Sequence, residues 1–268
     1  MPTPRHALIT GGSRGIGLAI AQLFASQGYR LTLLARNNRN LEDALSTLPT
    51  SHLSSSSPHR YIATHAITND KFWTTSGLDD TFGAQYEFED AKEKNIDVLV
   101  NCAGISQSSS FVRTKGEDIK EIVDINLTAA MLATRFLLSK RYIKGRSFKA
   151  AETEEPFSPT IINVASLLGM KGGVGAVAYA ASKAGMIGFT RALAAEIGRS
   201  GIRVNTIVPG YVSTDMTTDL ERSSDLRSSI PMGRFGKPEE IADAALFLAR
   251  NQYAHNCILN LDGGLSAT

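Results

Sequence analysis

Little in this sequence pulls it toward disulfide, metal, nucleic-acid or membrane chemistry. It has two cysteines, Cys102 and Cys257, and neither belongs to a C-x-x-C pair. Both are expected to be free thiols of a reducing compartment. The five histidines are scattered, with no H-E-x-x-H or comparable ligand spacing, so no metal site is expected. A formal charge of +2 is too small to call for a nucleic-acid partner. No apolar run approaches the length of a membrane span, and residues 1–5 lead straight into an apolar run that leaves no room for a signal or transit peptide. The expected location is the cytoplasm, with an uncleaved route into an organelle left open. There is no internal repeat and no interdomain linker. The 268 residues, 43% hydrophobic and 20% charged, suit a single domain spanning 1–268.

What the chain does have is an alternation of short apolar runs with helix-patterned stretches. His6-Ala-Leu-Ile-Thr10 is followed at once by Gly11-Gly-Ser-Arg-Gly-Ile-Gly17, and residues 18–25 then repeat with helical period up to Gly28. Strand, glycine turn and helix bring backbone N–H groups and a helix N-terminus to a dinucleotide pyrophosphate. The plainer reading is an ordinary Gly-rich turn. Further strands are expected at 29–35, 61–64, 96–100, 160–165, 202–208 and 257–261, with helices at 70–94, 117–140, 179–198 and 238–250. That order predicts an α/β fold, a doubly wound (Rossmann) parallel sheet with helices on both faces. The Ser-rich stretch 49–58 and the polar stretch 141–159 read as surface loops, 169–175 as a mobile glycine-rich stretch, and 213–232 as a lid.

Several polar residues stand where ligands of such a sheet would lie. Arg36 follows the second strand, where an NAD-preferring fold usually carries a carboxylate. With Arg14 in the glycine turn, two guanidiniums and no acid suit the 2′-phosphate of NADPH; otherwise Arg36 is a solvated strand end. Asn101-Cys-Ala-Gly104 closes the fourth strand, either as a ligand edge or as a tight exit. Asn126 lies within a helix, on a wet face or in a cleft. Basic residues Arg135, Lys140, Arg141, Lys144, Arg146 and Lys149 cluster beyond it, either solvated or facing an acidic partner. Tyr179 and Lys183 are four apart, so a helix puts them on one face. A nearby ammonium is expected to lower the phenol pKa and make it a usable acid or base.

Taken in order, Thr10-Gly11-x-x-x-Gly15-x-Gly17, Asn101-x-Ala103-Gly104, Asn126, Ser166, Tyr179-x-x-x-Lys183 and Pro209-Gly210-x-x-x-Thr214 resemble the short-chain dehydrogenase/reductase family over essentially the whole chain. The wording of residues 205–216 and 230–242 is similar to the 3-oxoacyl-[acyl-carrier-protein] reductases. The resemblance implies Tyr179 as general acid, and Lys183 lowering its pKa and meeting the nicotinamide ribose. It also implies Ser166 as a donor to the carbonyl oxygen and Asn126 opening its helix around a water. For the cofactor it implies Gly11, Gly15 and Gly17 at the pyrophosphate, with Ser13 and Ile16 of the same turn also in contact, and Arg14 and Arg36 toward the ribose phosphate. Asn101, Ala103 and Gly104 would sit on the adenosine side, with Pro209, Gly210, Val212 and Thr214 toward the carboxamide. The implied activity is NADPH-dependent reduction of a 3-oxoacyl thioester or related β-keto compound by a homotetramer. A reductase of a polyol, steroid or secondary metabolite, and a non-catalytic NADP(H) sensor, are the alternatives. Cys102 replaces a common Asn, Ala66 an adenine-holding Asp or Asn, and His255-Asn256 a Thr-Gly. For docking of a carrier protein, Arg141 lies in the relevant region, but Ser200 occupies the second basic position, with Arg199 one residue before it.

Overall fold

The computed structural model describes residues 4–51, 53, 58–69, 72–73, 95–107, 109–145, 157–222 and 224–268. The expected helix at 70–94, apart from Phe72 and Trp73, lies outside the described residues, as do most of the Ser-rich loop and residues 146–156 of the later excursion.

The strands are β1 (His6–Thr10), β2 (Arg30–Ala35), β3 (Arg60–Ala63), β4 (Val98–Asn101), β5 (Thr160–Val164), β6 (Arg203–Pro209) and β7 (Ile258–Leu261). They form one seven-stranded sheet in the order β3-β2-β1-β4-β5-β6-β7. Every pairing is parallel. The order reverses beside β1, so the crevice between β1 and β4 is the switch point where ligands of open α/β sheets bind.

The helices are α1 (Gly15–Ser26), α2 (Asn38–Ser46), α3 (Gly116–Val123), α4 (Ala129–Ser139), α5 (Leu168–Lys171), α6 (Val177–Ile197), α7 (Thr218–Glu221), α8 (Ser224–Ser229) and α9 (Pro238–Arg250). They cover both faces. Ala7 and Ile9 of β1 pack with Ile20 and Phe24 of α1 and Leu248 of α9. Leu8, between them, packs on the other face with Phe136 and Leu137 of α4. An inner strand buried on both faces reads as a continuous apolar run, and the expected strands lie within two residues of the observed ones.

The expected single helix at 117–140 is corrected in its middle. α3 and α4 are joined by a π turn over Asp124–Thr128, with Asn126 inside it. The run Gly116–Ser139 is also long and apolar enough, by length and composition, to cross a membrane, contrary to the expectation above. Its apolar residues are core: Ala129, Ala133, Phe136 and Leu137 are all buried under the sheet. The stretch 169–175 opens as α5, and Gly169 is packed so closely that an added Cβ would stand 2.7 Å from the Ala184 nitrogen of α6. The segment 213–232 holds the short helices α7 and α8, with Ile230 buried against the core.

Candidate active site

The carboxyl ends of β1, β4, β5 and β6 open on a cavity of about 1050 Å³. At one end the glycine turn forms its floor. Gly11 has φ +70, and an added Cβ would lie 2.9 Å from the backbone of Ala103. Only glycine lets the turn lie this close to the β4 exit. At Gly17 a Cβ would come within 2.2 Å of the Gly11 carbonyl oxygen, so the first turn of α1 is pressed onto the loop.

The first intrahelical bond of α1 runs from Leu18 N–H to the Arg14 carbonyl. The N–H groups of Gly15, Ile16 and Gly17 therefore have no acceptor within the helix. The N-cap residue, Arg14, gives them no side-chain hydrogen bond, and no acidic residue lies in that turn. Together with the helix dipole this makes an anion cradle. Ser13 and Arg14 border it, and Gly210, Val212 and Thr214 face it from the β6 exit. Arg14 reaches Asp215 across the opening at 3.6 Å, an exposed pair worth little energy. The cavity continues past Ala35 to Arg36 and Arg39, and past Thr64 and His65 at the β3 exit. Backbone cradle and helix terminus fit the pyrophosphate of a dinucleotide.

At the other end of the cavity stand Ser166, Tyr179 and Lys183. Ser166 follows β5; its hydroxyl accepts the Leu168 N–H at 3.2 Å, leaving its own proton to donate. Tyr179 and Lys183 share one face of α6. Lys183 is only 4% exposed, and its Nζ donates to the Val164 carbonyl at 2.8 Å. That nitrogen lies 5.8 Å from the centre of the Tyr179 ring. Burial pushes the Lys183 ammonium down to about 8. Burial also pushes the Cys102 thiol up to about 11, which keeps it neutral.

Tyr179 departs from expectation. Its pKa is raised, because burial outweighs the hydrogen bond from Ser166 that favours the phenolate. A phenol held above its ordinary value keeps its proton at neutral pH, as a proton donor must.

Asn126 is wholly buried, so the wet-face reading is excluded. Its Oδ1 accepts the Ile105 N–H at 2.8 Å. Its Nδ2 donates to the Ile105 carbonyl at 3.0 Å and to Ser182 Oγ at 3.1 Å. It thus ties the β4 exit to α6 and is not itself part of the cavity lining. Asn101 is also corrected. Its amide donates to Asn163 Oδ1 at 2.8 Å and Thr134 Oγ1 at 3.2 Å, inside the protein and away from the cavity. Ala103 and Gly104 do line the cavity, and Pro209 does so beside Gly210. Thr10 Oγ1 accepts the N–H groups of Cys102 and Ala103 at 3.1 and 3.2 Å, holding that edge to β1.

Residues 5–225 match the profile of a family described as short chain dehydrogenase. The chain belongs to that family. Among members of known name, a 3-oxoacyl-[acyl-carrier-protein] reductase of Rattus norvegicus is 38% identical over 260 residues, covering 97% of both chains. The human protein of that name is 38% identical over 257 residues, covering 96% of each. Carbonyl reductase family member 4 of Xenopus laevis is 36% identical over 259 residues, again with 96% coverage of each. A solved structure, titled a putative gluconate dehydrogenase from Agrobacterium tumefaciens, superposes with a TM-score of 0.80 at 26% identity and covers 98% of this chain and 96% of its own. As a short chain dehydrogenase, this protein is an oxidoreductase whose cofactor is a nicotinamide dinucleotide.

Among the described residues, the sequence reading missed Arg39, Thr64 and His65 at the ribose end, and Gln107 beside α6. Arg39 sits at the start of α2, a helix of mostly polar residues that buries only Leu41 and Ala44. Its N-cap, Asn37 accepting the Asn40 N–H at 3.0 Å, is the signal that would have found it.

Proposed function

We propose that this chain is an NADPH-dependent ketoreductase of 3-oxoacyl thioesters or related β-keto compounds. The observation that carries the reading is the convergence of Ser166, Tyr179 and Lys183 on the cavity that the glycine turn opens and Arg36 and Arg39 border. The bound nicotinamide supplies the hydride. The chain's own residues orient the carbonyl and deliver the proton. Tyr179 donates its phenolic proton to the carbonyl oxygen as negative charge develops there. Ser166 donates a second hydrogen bond to the same oxygen, so the developing alkoxide meets two donors fixed in advance. Lys183, anchored on the Val164 carbonyl, stabilises the phenolate that remains. Residues 214–217, which line the cavity, cover the site from the side of α7.

The names of the relatives, 38% identical over nearly their full length, support the thioester class. The neighbour titled a putative gluconate dehydrogenase supports a second reading, oxidation of a sugar acid. The deciding experiment is a substrate panel of acetoacetyl thioesters, simple ketones, secondary alcohols and gluconate, run with NADPH, NADH and their oxidised forms. Turnover of acetoacetyl thioesters with NADPH, abolished by Tyr179→Phe with cofactor binding intact, is the expected result. Turnover of gluconate alone, or full activity in Tyr179→Phe, overturns it.

A further inference from the structure

Helix α6 carries Tyr179 and Lys183, yet it begins without a cap of its own. The N-cap position is Ala176, with no side-chain cap bond. The residues before it, Gly172-Gly-Val-Gly175, carry no side-chain hydroxyl or amide. The N–H groups that a cap normally satisfies are those of the second and third helical residues, here Ala178 and Tyr179. Both donate to Gln107 Oε1, at 2.8 and 3.2 Å, from a residue in the loop that follows β4. The other end of the same amide donates to the Ser109 carbonyl at 3.1 Å and to Thr114 Oγ1 at 3.0 Å. Two N–H donors on one side and a carbonyl on the other fix which way the amide faces.

The loop is held at both ends of its span. Asn126 clamps Ile105 at its start, and Ser109 Oγ and Thr114 Oγ1 share a 2.8 Å hydrogen bond further along. The β4 exit that lines the cavity and the first turn of the catalytic helix are thereby joined through one side chain.

We propose that Gln107 is a positioning residue for Tyr179: it supplies from a distance the N-cap that α6 lacks and so fixes the phenol against the carbonyl oxygen. The proposal rests on Tyr179 being the general acid. A displacement of about 1 Å at a reacting group can cost roughly a hundredfold in rate, and Tyr179 is itself one of the two residues whose backbone is held.

The test compares wild type, Gln107→Ala and Gln107→Glu, with Tyr179→Phe as control. It uses the pH profile of kcat for acetoacetyl-thioester reduction and amide hydrogen exchange across residues 176–183. Gln107→Ala is expected to lower kcat roughly ten- to a hundredfold, to leave NADPH affinity nearly unchanged, and to speed exchange at Ala178 and Tyr179. Gln107→Glu keeps an oxygen for both N–H groups but loses the donor to the Ser109 carbonyl. It is expected to restore part of kcat relative to Gln107→Ala and to slow exchange at Ala178 and Tyr179 again, and its added negative charge should move the alkaline limb of the profile upward. A Gln107→Ala enzyme with wild-type kcat and profile, or a loss that only follows the unfolded fraction, overturns the proposal. If the wild type reduces no carbonyl, the functional reading fails on its own, and exchange still decides the cap: unchanged rates at Ala178 and Tyr179 overturn it.

Discussion

Raising the pH should switch this enzyme off through Lys183 before it does so through Tyr179. Burial brings the Lys183 ammonium from 10.5 to about 8, a loss of roughly 3 kcal/mol in preference for the charged form. Between pH 7 and pH 9 its protonated fraction falls from about nine-tenths to about one-tenth. The ammonium nitrogen is 5.8 Å from the centre of the Tyr179 ring. Taking an effective dielectric constant of ~20 and a charge separation of about 6 Å, an ammonium is worth roughly 3 kcal/mol to a phenolate, about a hundredfold in rate. Tyr179, raised by burial, still holds its proton in this range. The assay is kcat/KM for the cofactor in carbonyl reduction from pH 6 to 10, because that ratio reports groups of the free enzyme. The expected profile is flat to near pH 8 and then falls about tenfold per unit. Lys183→Met should give a low plateau without that limb. A flat wild-type profile to pH 10, or the same limb in Lys183→Met, refutes the reasoning.

Arg36→Asp should weaken NADPH roughly ten- to a hundredfold by removing a charge-assisted bond to the 2′-phosphate, while NADH binds as well or better; fluorescence titration checks it, and equal losses for both cofactors count against the phosphate site. His6 is buried, with Nδ1 against the Asn95 carbonyl at 3.1 Å and Nε2 against Thr32 Oγ1 at 2.8 Å. Burial and the Arg30 charge hold its pKa well below 6.5. The unfolded chain therefore takes up a proton that the folded chain refuses, so stability is intact above pH 6.5 and falls below it. The loss is about 1.4 kcal/mol by pH 5.5 in urea unfolding, a component that His6→Gln should lack. Arg203 donates to the carbonyls of Leu248, Ala254, Ser158 and Ala249 at 2.5 to 3.2 Å, closing the end of α9. Arg203→Met should cost on the order of 3 kcal/mol in denaturant unfolding and leave kcat per folded molecule unchanged.

What was legible in the sequence was what chemistry fixes locally. The glycine turn reads directly because strand, turn and helix are contiguous, and the Tyr179–Lys183 spacing reads because helical period alone puts both on one face. The errors share a cause. Asn101 ends β4 level with Thr10 of β1 and Asn163 of β5, and a motif does not say which side of the sheet a strand-end side chain takes. The sign at Tyr179 was misread because sequence shows spacing and not desolvation, which here outweighs the Ser166 hydrogen bond that favours the phenolate. Gln107 was invisible because its partners are Ala178 and Tyr179, more than seventy residues on.

Those long-range polar contacts also explain how α6 is held in register. A purely apolar face could rotate or slide on the sheet at little cost, because hydrophobic burial is non-directional. The buried face of α6 sets a seam of hydrogen bonds among its apolar residues Met186, Ile187 and Ala194. Lys183 donates to the Val164 carbonyl, and Ser182 receives a bond from Asn126. Thr190 Oγ1 takes bonds from Asn163 at 2.8 Å and Thr206 at 2.5 Å, on the central strands β5 and β6. Thr190, Asn163 and Thr206 are each 0% exposed, so any slip would strand several desolvated groups at once, at about 1–3 kcal/mol each. Directional bonds fixed to β5 and β6 set both the rotation and the height of α6. In this way the interior of the sheet determines that Tyr179 and Lys183 emerge at the strand ends, opposite the glycine turn.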